Sequence, residues 1–303
     1  MRACVLSGGA CKGAYQTGVL KHLLGDLKIQ YDGLCGTSVG AINAGWLAMF
    51  PHGEEVEAIE GLEVLWRKLK TSDIYVNWVN WPKPFSYLGY IKALWKPSIY
   101  NSAPLMELIR TQYDSEKMRA SGKKLRVTAV SLNTGEYRVF KESFEEMTEA
   151  ILASSSFPGA FLPIKIGDHW WTDGGVKEIT PLKSAIKLGA DAIDVIVTSP
   201  EKDLSDFTDN PNIIKLGPRI VDIMSSEILL NDLSRAIEIN KLIKDGAKIP
   251  NKRYIDIRIF RPDHILVESS LNFEQEFIGP MIEKGYNDAL LVTGADKDDT
   301  PHR

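Results

Sequence analysis

Residues Leu34 to Ala44 read Leu34-Cys35-Gly36-Thr37-Ser38-Val39-Gly40-Ala41-Ile42-Asn43-Ala44, and the way this stretch turns decides the fold. A serine stands between two glycines in the pattern G-x-S-x-G, which places a nucleophilic serine on a sharp turn between a strand and a helix. Gly36 and Gly40 remove side chains where such a turn folds back on its strand and helix. Before the turn, Gly33 to Gly36 reads as a short strand; after it, Val39 to Phe50 reads as an almost wholly apolar helix stopped by Pro51. A helix apolar on nearly every side belongs inside a domain. Ser38 would stand at its N-terminus, where the dipole favours developing negative charge.

Working outward, Arg2 to Ser7 is an apolar run ending in glycines, a buried strand. Lys12 to Leu24 follows with near-helical spacing of apolar residues. The first fifty residues thus read strand–loop–helix twice over, the alternation of a parallel sheet covered by helices. Downstream, helices are expected at Glu54 to Lys70, Asn101 to Tyr113, Pro181 to Leu188 (closed by Gly189), Asn212 to Lys244 and Phe273 to Val292. Ser143 and Glu146 form a capping-box pattern that would open a helix ending near Ala153. Strands are expected at Leu125 to Leu132, Glu136 to Phe140, Pro163 to Ile166, Trp170-Trp171, Ala192 to Thr198 and Tyr254 to Phe260. No repeat or clean linker interrupts the chain, so one domain over 1–293 with a polar, frayed tail over 294–303 is the simplest organisation.

The 303 residues are 44% apolar and 25% charged, enough to bury a core without staples. A net charge of -4 offers no electrostatic argument for nucleic acid. The three cysteines, Cys4, Cys11 and Cys35, cannot all pair and lack metal-ligand spacing; they read as free thiols in a reducing compartment, and Cys11, after the loop glycines, reads as a small buried side chain rather than a reactive one. No signal peptide is visible, and no apolar stretch reaches the ~20 residues of a membrane span. The expectation is a soluble, cytoplasmic protein with at most peripheral membrane contact, and no metal or cofactor.

The first loop, Ser7-Gly8-Gly9-Ala10-Cys11-Lys12-Gly13-Ala14, offers unhindered backbone N–H groups that suit a phosphate or an oxyanion. Its glycines do not supply G-x-G-x-x-G, and Ala14 and Tyr15 after Gly13 break the phosphate-loop pattern. A third element is Trp171-Thr172-Asp173-Gly174-Gly175-Val176, preceded by the stretch Ala153 to Pro163. An aspartate before glycines is by itself often only a turn.

Taken together and in this order, the three elements resemble the patatin-like phospholipase family, in particular its bacterial-type members. The glycine-rich oxyanion loop matches Gly8 to Gly13, the G-x-S-x-G matches Gly36 to Gly40, and the D-G-[GA] matches Asp173-Gly174-Gly175. A family-like A-S-x-x-x-P-x-x-F-x-P stretch matches Ala153 to Pro163. The resemblance runs from about Arg2 to Leu188. It departs at Ala10, which stands where the usual run has a third glycine but keeps its N–H.

The resemblance implies a three-layer α/β/α fold with a mainly parallel sheet. It also implies a Ser–Asp dyad: Ser38 attacks an ester carbonyl to form an acyl-enzyme, Asp173 takes its proton, and the N–H groups of Gly8, Gly9 and Ala10 hold the oxyanion. Burial beside apolar neighbours such as Trp171 would raise the Asp173 pKa into a useful range. The residues alone leave a histidine open. His264 follows Asp173 and gives the order Ser38, Asp173, His264 of α/β-hydrolases, and His169 lies four positions before Asp173. His22, His52 and His302 complete the set. The resemblance replaces the histidine, and a serine on the second strand is too early for an ordinary α/β-hydrolase sheet.

The implied activity is hydrolysis of phospholipid or lysophospholipid carboxylic esters, without a metal. The same dyad would also serve an acyltransferase or thioesterase, and a catalytically silent lipid-binding regulator is the reading of a different class. The segment Asp73 to Pro97 carries Trp78, Trp81, Phe85, Tyr87, Tyr90 and Trp95 among lysines and prolines. That composition suits a lid over an acyl-chain groove, a membrane interface or an ordinary core.

Overall fold

The computed structural model describes residues 1–76, 96–201 and 213–298. In chain order its elements are β1 (Arg2–Leu6), a 3-10 turn (Ala10–Lys12), α1 (Gly13–Leu20) running into a π turn (Lys21–Asp26), β2 (Gly33–Gly36), α2 (Val39–Leu47), α3 (Glu55–Lys68) and α4 (Thr71–Ile74). They continue with α5 (Ala103–Gln112), α6 (Ser115–Ala120), β3 (Lys124–Ser131), β4 (Tyr137–Lys141), α7 (Met147–Ser154), β5 (Ile164–Ile166) and β6 (His169–Asp173). A 3-10 turn (Gly174–Val176) leads to α8 (Leu182–Leu188), β7 (Ala192–Ile196), α9 (Ile213–Lys244), β8 (Asp256–Phe260) and α10 (Gln275–Asp298).

The strands form one sheet in the order β5-β6-β3-β2-β1-β7-β8, with β4 also on β3. The run β3-β2-β1-β7-β8 is parallel. Period-two alternation along β1 divides the core. Cys4 and Leu6 join one buried cluster with residues of α1, α2, α3, α7 and α10, whereas Ala3 and Val5 join a second with Leu182 and Ala185 of α8 and Leu229 and Leu233 of α9. Helices therefore cover both faces of a mostly parallel sheet, as expected of the α/β/α class.

Two helix backbones approach unusually closely. A Cβ on Gly18 of α1 would lie 1.9 Å from the Ile282 carbonyl oxygen of α10, and one on Gly285 of α10 would lie 2.1 Å from the Tyr15 carbonyl oxygen. Only the absence of a side chain at these two positions permits the contact, and it locks the C-terminal helix onto the first.

Two local expectations need correction, and one helix cap was not expected. The Ser143–Glu146 capping box does not form: the helix begins at Met147 with Glu146 as its N-cap and no side-chain cap, because residues 142–143 and 145–146 are occupied by turns that leave β4. Asp114, unremarked in the sequence, caps α6 by accepting from the Glu116 and Lys117 N–H groups. The last helix does not stop at Val292 but continues to Asp298, five residues into the expected tail; Ala295, a strong helix former, sits in that extension. Of the aromatic segment Asp73 to Pro97, the residues 77–95 that hold Trp78 to Trp95 lie outside the described residues, as do 299–303. Among the described residues no helix is long and apolar enough to cross a membrane.

Candidate active site

Strand pairing brings Ser38 and Asp173 together. β2 runs parallel to the first half of β3 and ends with Gly36 opposite Val127. β6 runs antiparallel to the end of β3 and finishes with Asp173 opposite Ala129. β4 pairs with β3 across both stretches and so occupies its other edge. β2 and β6 therefore share one edge of β3 and meet head to head, with Thr128 between their ends. Thr128 marks the joint: its hydroxyl is 2.7 Å from that of Thr37, and a Cβ on Gly174 would fall 2.2 Å from the same oxygen.

The turn at Ser38 is as sharp as the G-x-S-x-G pattern requires. A Cβ on Gly36 would stand 2.2 Å from the Gly40 carbonyl oxygen, and one on Gly40 would stand 2.2 Å from that of Leu6. Ser38 itself has φ 57° and ψ −130°, a conformation that costs a side-chain-bearing residue about 1–3 kcal/mol. It is held there from both sides. Its N–H donates to Ser154 Oγ at 3.0 Å, and its carbonyl accepts from the Ala41 N–H at 2.8 Å and Ser155 Oγ at 3.3 Å. Ser155 also donates to the Ile151 carbonyl, so the clamp is part of α7.

The Ser38 hydroxyl stands beside the Asp173 carboxylate as a donor that lowers its pKa. Asp173 is 2% exposed and accepts a bond from the Gly175 N–H to Oδ1 at 2.7 Å. With no cation beside it among the described residues, burial pushes its pKa up to about 7, against the pull of these two donors. Its backbone N–H is tied to the Ser156 carbonyl at 3.0 Å. Trp171, two residues earlier on the same face of β6, is buried and packs edge-on against Phe140 at 5.3 Å.

The glycine-rich loop lies against the serine, since a Cβ on Gly8 would come within 3.2 Å of Ser38 Cβ. Of the three N–H groups expected to face an oxyanion, that of Gly8 is already used. It donates to the Ile179 carbonyl at 3.0 Å, because the segment after Asp173-Gly174-Gly175 folds back onto the loop. That leaves the N–H groups of Gly9 and Ala10 as the loop's candidates for an oxyanion. Neither the Gly9 nor the Ala10 N–H has an acceptor among the described residues. Gly9 has φ 151° and Ala10 φ 50°, so Ala10 accommodates the left-handed conformation despite its Cβ. Lys12 ends the 3-10 turn and is half-buried at the start of α1.

The histidines lie elsewhere. His22 is buried between Asp26 and Thr293, each 2.9 Å from a ring nitrogen. His52 is near Asp32 and Glu55. His169 bonds Ser131 Oγ at 3.0 Å from the opposite end of β6, roughly 13 Å along the strand from Asp173. His264 is exposed and pairs with its neighbour Asp263. His302 lies outside the described residues. Among the described residues, no group of three or more His, Cys, Asp or Glu side chains is arranged to hold a metal ion. All three cysteines are buried free thiols, and burial drives Cys11 and Cys35 up to about 12.

Residues 4–186 match the family model of the patatin-like phospholipases. The chain belongs to the patatin-like phospholipase family. Membership places it among the lipid acyl hydrolases. The match runs from Cys4 within β1 to Ile186 within α8 and contains Ser38, Asp173 and the glycine-rich loop. Among solved structures, VipD from Legionella pneumophila is similar at 13% identity, over 97% of this chain and 67% of VipD, with a TM-score of 0.47.

Several residues that shape the site carry no mark in the sequence. Ser154 and Ser155 fall inside the family-like Ala153 to Pro163 stretch, which points to the segment but not to which hydroxyl meets Ser38. Asn43, a lone polar residue in an apolar helix, was a readable signal. It is fully buried and bonds the Gly13 carbonyl, Gln16 and the Trp66 indole N–H, and Gln16 in turn bonds the Ser7 carbonyl. That network ties α2 to the glycine-rich loop.

Proposed function

We propose that the chain hydrolyses carboxylic esters of phospholipids or lysophospholipids with Ser38 as nucleophile and Asp173 as its base. One observation carries this reading: the Ser38 hydroxyl stands beside a buried carboxylate whose pKa is raised to about 7, and no described histidine bonds either member of the pair. An ordinary aspartate is too weak a base for a hydroxyl. One that holds its proton up to neutral pH is far better matched to the transfer.

Ser38 Oγ attacks the ester carbonyl carbon as its proton passes to Asp173. The carbonyl oxygen becomes an oxyanion and is received by the free N–H groups of Gly9 and Ala10. The tetrahedral intermediate collapses, the C–O bond to the alcohol breaks, and Asp173 returns the proton to the leaving oxygen. Water then attacks the acyl-enzyme while Asp173 takes one of its protons. The fatty acid leaves and the Ser38 hydroxyl is restored. The strained backbone at Ser38 is the kind of turn on which such a nucleophile is carried.

The test is release of fatty acid from phosphatidylcholine and lysophosphatidylcholine by wild type beside Ser38→Ala, with mass spectrometry after a fluorophosphonate probe. Expected are fatty acid and a single adduct on Ser38 in wild type, and neither in Ser38→Ala. Undiminished hydrolysis by Ser38→Ala would sink the proposal.

A further inference from the structure

We infer that Thr198, which lies beyond the residues matched by the family, is a positioning residue that aims the oxyanion-binding N–H of Gly9. The inference rests on the proposed role of the glycine-rich loop. Thr198 follows β7, the strand beside β1 in the sheet, so its backbone emerges next to the loop. It is 1% exposed. Its Oγ1 donates to the Gly8 carbonyl at 2.6 Å. Ser7 Oγ donates to the same oxygen at 3.1 Å and accepts from the Thr198 N–H at 3.2 Å. Ser7 and Thr198 thus close a small ring of hydrogen bonds around one carbonyl and occupy both of its lone pairs.

The consequence follows from peptide geometry. The Gly8 carbonyl and the Gly9 N–H belong to one planar trans peptide and point in opposite directions. Anchoring the carbonyl on the Thr198 side therefore sends the N–H away from it, and that N–H has no other partner among the described residues. The anchor is needed because the peptide is free to turn: Gly9 has φ 151°, in a region open to glycine and strained for other residues. A flip of this peptide would offer a carbonyl oxygen to a developing oxyanion in place of an N–H. The Thr198 side chain also leaves no room behind the loop, since a Cβ on Gly9 would lie 2.2 Å from its Oγ1. The hydroxyl of Thr198 supplies the direction and its bulk supplies the wall.

The experiment compares wild type, Thr198→Val, Thr198→Ser and Ser38→Ala on a soluble fatty-acyl p-nitrophenyl ester, with fluorophosphonate labelling rates and melting temperatures for each. Thr198→Val keeps the shape and loses the donor. It is expected to lower kcat by about 10- to 100-fold, somewhat less than deletion of an oxyanion donor, with KM within about twofold of wild type. Labelling should slow in parallel, because the phosphonyl oxygen uses the same N–H. Thr198→Ser keeps the donor and should recover kcat to within about threefold of wild type. A Thr198→Val enzyme with wild-type kcat overturns the proposal, and so does a Thr198→Ser enzyme as slow as Thr198→Val. Should Thr198→Val not fold, Ser7→Ala removes the other donor to the same carbonyl, and a wild-type kcat there overturns the proposal equally. Hydrolysis that survives in Ser38→Ala identifies failure of the underlying reading, which this arm separates from failure of the Thr198 assignment.

Discussion

Two aspartates, Asp173 and Asp194, are buried to nearly the same degree, 2% and 1% exposed, and the protein treats them in opposite ways. Asp194, on β7, is surrounded by donors. Arg258 grips it with Nε at 2.7 Å and Nη2 at 3.1 Å, the Tyr31 hydroxyl donates at 2.7 Å, and Arg2 stands 3.8 Å away. Asp173, at the end of β6, receives one backbone N–H and lies beside the Ser38 hydroxyl, with no cation on it among the described residues, and burial lifts its pKa to about 7. Burial is the same in both cases; the presence of a cation is what differs. A compensated carboxylate holds strands together, whereas an uncompensated one retains an affinity for protons that chemistry can use.

The largest expected effect that would break this comparison is on activity. Asp173→Asn is isosteric and removes the base, so ester hydrolysis should fall by about 10⁴-fold, whereas hydrolysis by Asp194→Asn should stay within about threefold of wild type in the folded fraction. Rates measured under single-turnover conditions decide this, and comparable rates for the two variants would remove the distinction. The next effect is on stability and has opposite signs at the two sites. Asp194→Asn removes one charge partner of a mostly buried Arg258 and should cost about 3 kcal/mol in urea unfolding.

At Asp173 the sign is reversed. An unfolded aspartate ionises near 3.8, while the folded one keeps its proton up to about 7. Between those values the folded state binds the extra proton, so stability from this group is complete below about 4 and is lost as pH rises through 7. Asp173→Asn removes that loss and should raise the Tm at pH 8.5 by roughly 3 °C or more, with little change at pH 4. A thermal scan of wild type and variant at both pH values checks the slope.

A smaller and sharper test is the pH profile. In the proposed mechanism the active form has Asp173 ionised, so kcat/KM should drop about tenfold for each unit below an apparent pKa near 7. Two further buried acids serve as controls of smallest effect. Burial holds Cys11 and Cys35 up to about 12, so native protein at pH 7.5 should show no thiol reactive toward 5,5′-dithiobis(2-nitrobenzoate) among Cys4, Cys11 and Cys35, and three after unfolding.

Much of the site was legible in the sequence because it consists of turns, and turns are written in glycine. Gly36 and Gly40 were readable as places where chain passes close to chain, and a Cβ at either would in fact meet a carbonyl 2.2 Å away. β2 has the expected bounds, and the end of α8 at Gly189, in the left-handed conformation, was readable for the same local reason. What was not legible depended on partners distant in sequence. The Gly8 N–H looked free and is taken by Ile179. The capping box at Ser143 was a valid local pattern that the turns leaving β4 overrode. The hydroxyls of Ser154 and Thr198 meet the site only because α7 and β7 pack beside it.

By itself the sequence determined the three strand-to-loop turns, the alternation that makes a mostly parallel sheet, and the identities of Ser38 and Asp173 as candidates. Each of these is a matter of residue type and short spacing, where sterics act within a few bonds. Tertiary structure alone decided that β2 and β6 meet head to head on one edge of β3, so that the two candidates touch. It also decided that Asp173 is buried with no cation beside it among the described residues, while Asp194 is buried with one. Protonation depends on the dielectric and charges around a group, and those are supplied by segments that the chain brings together only when it folds.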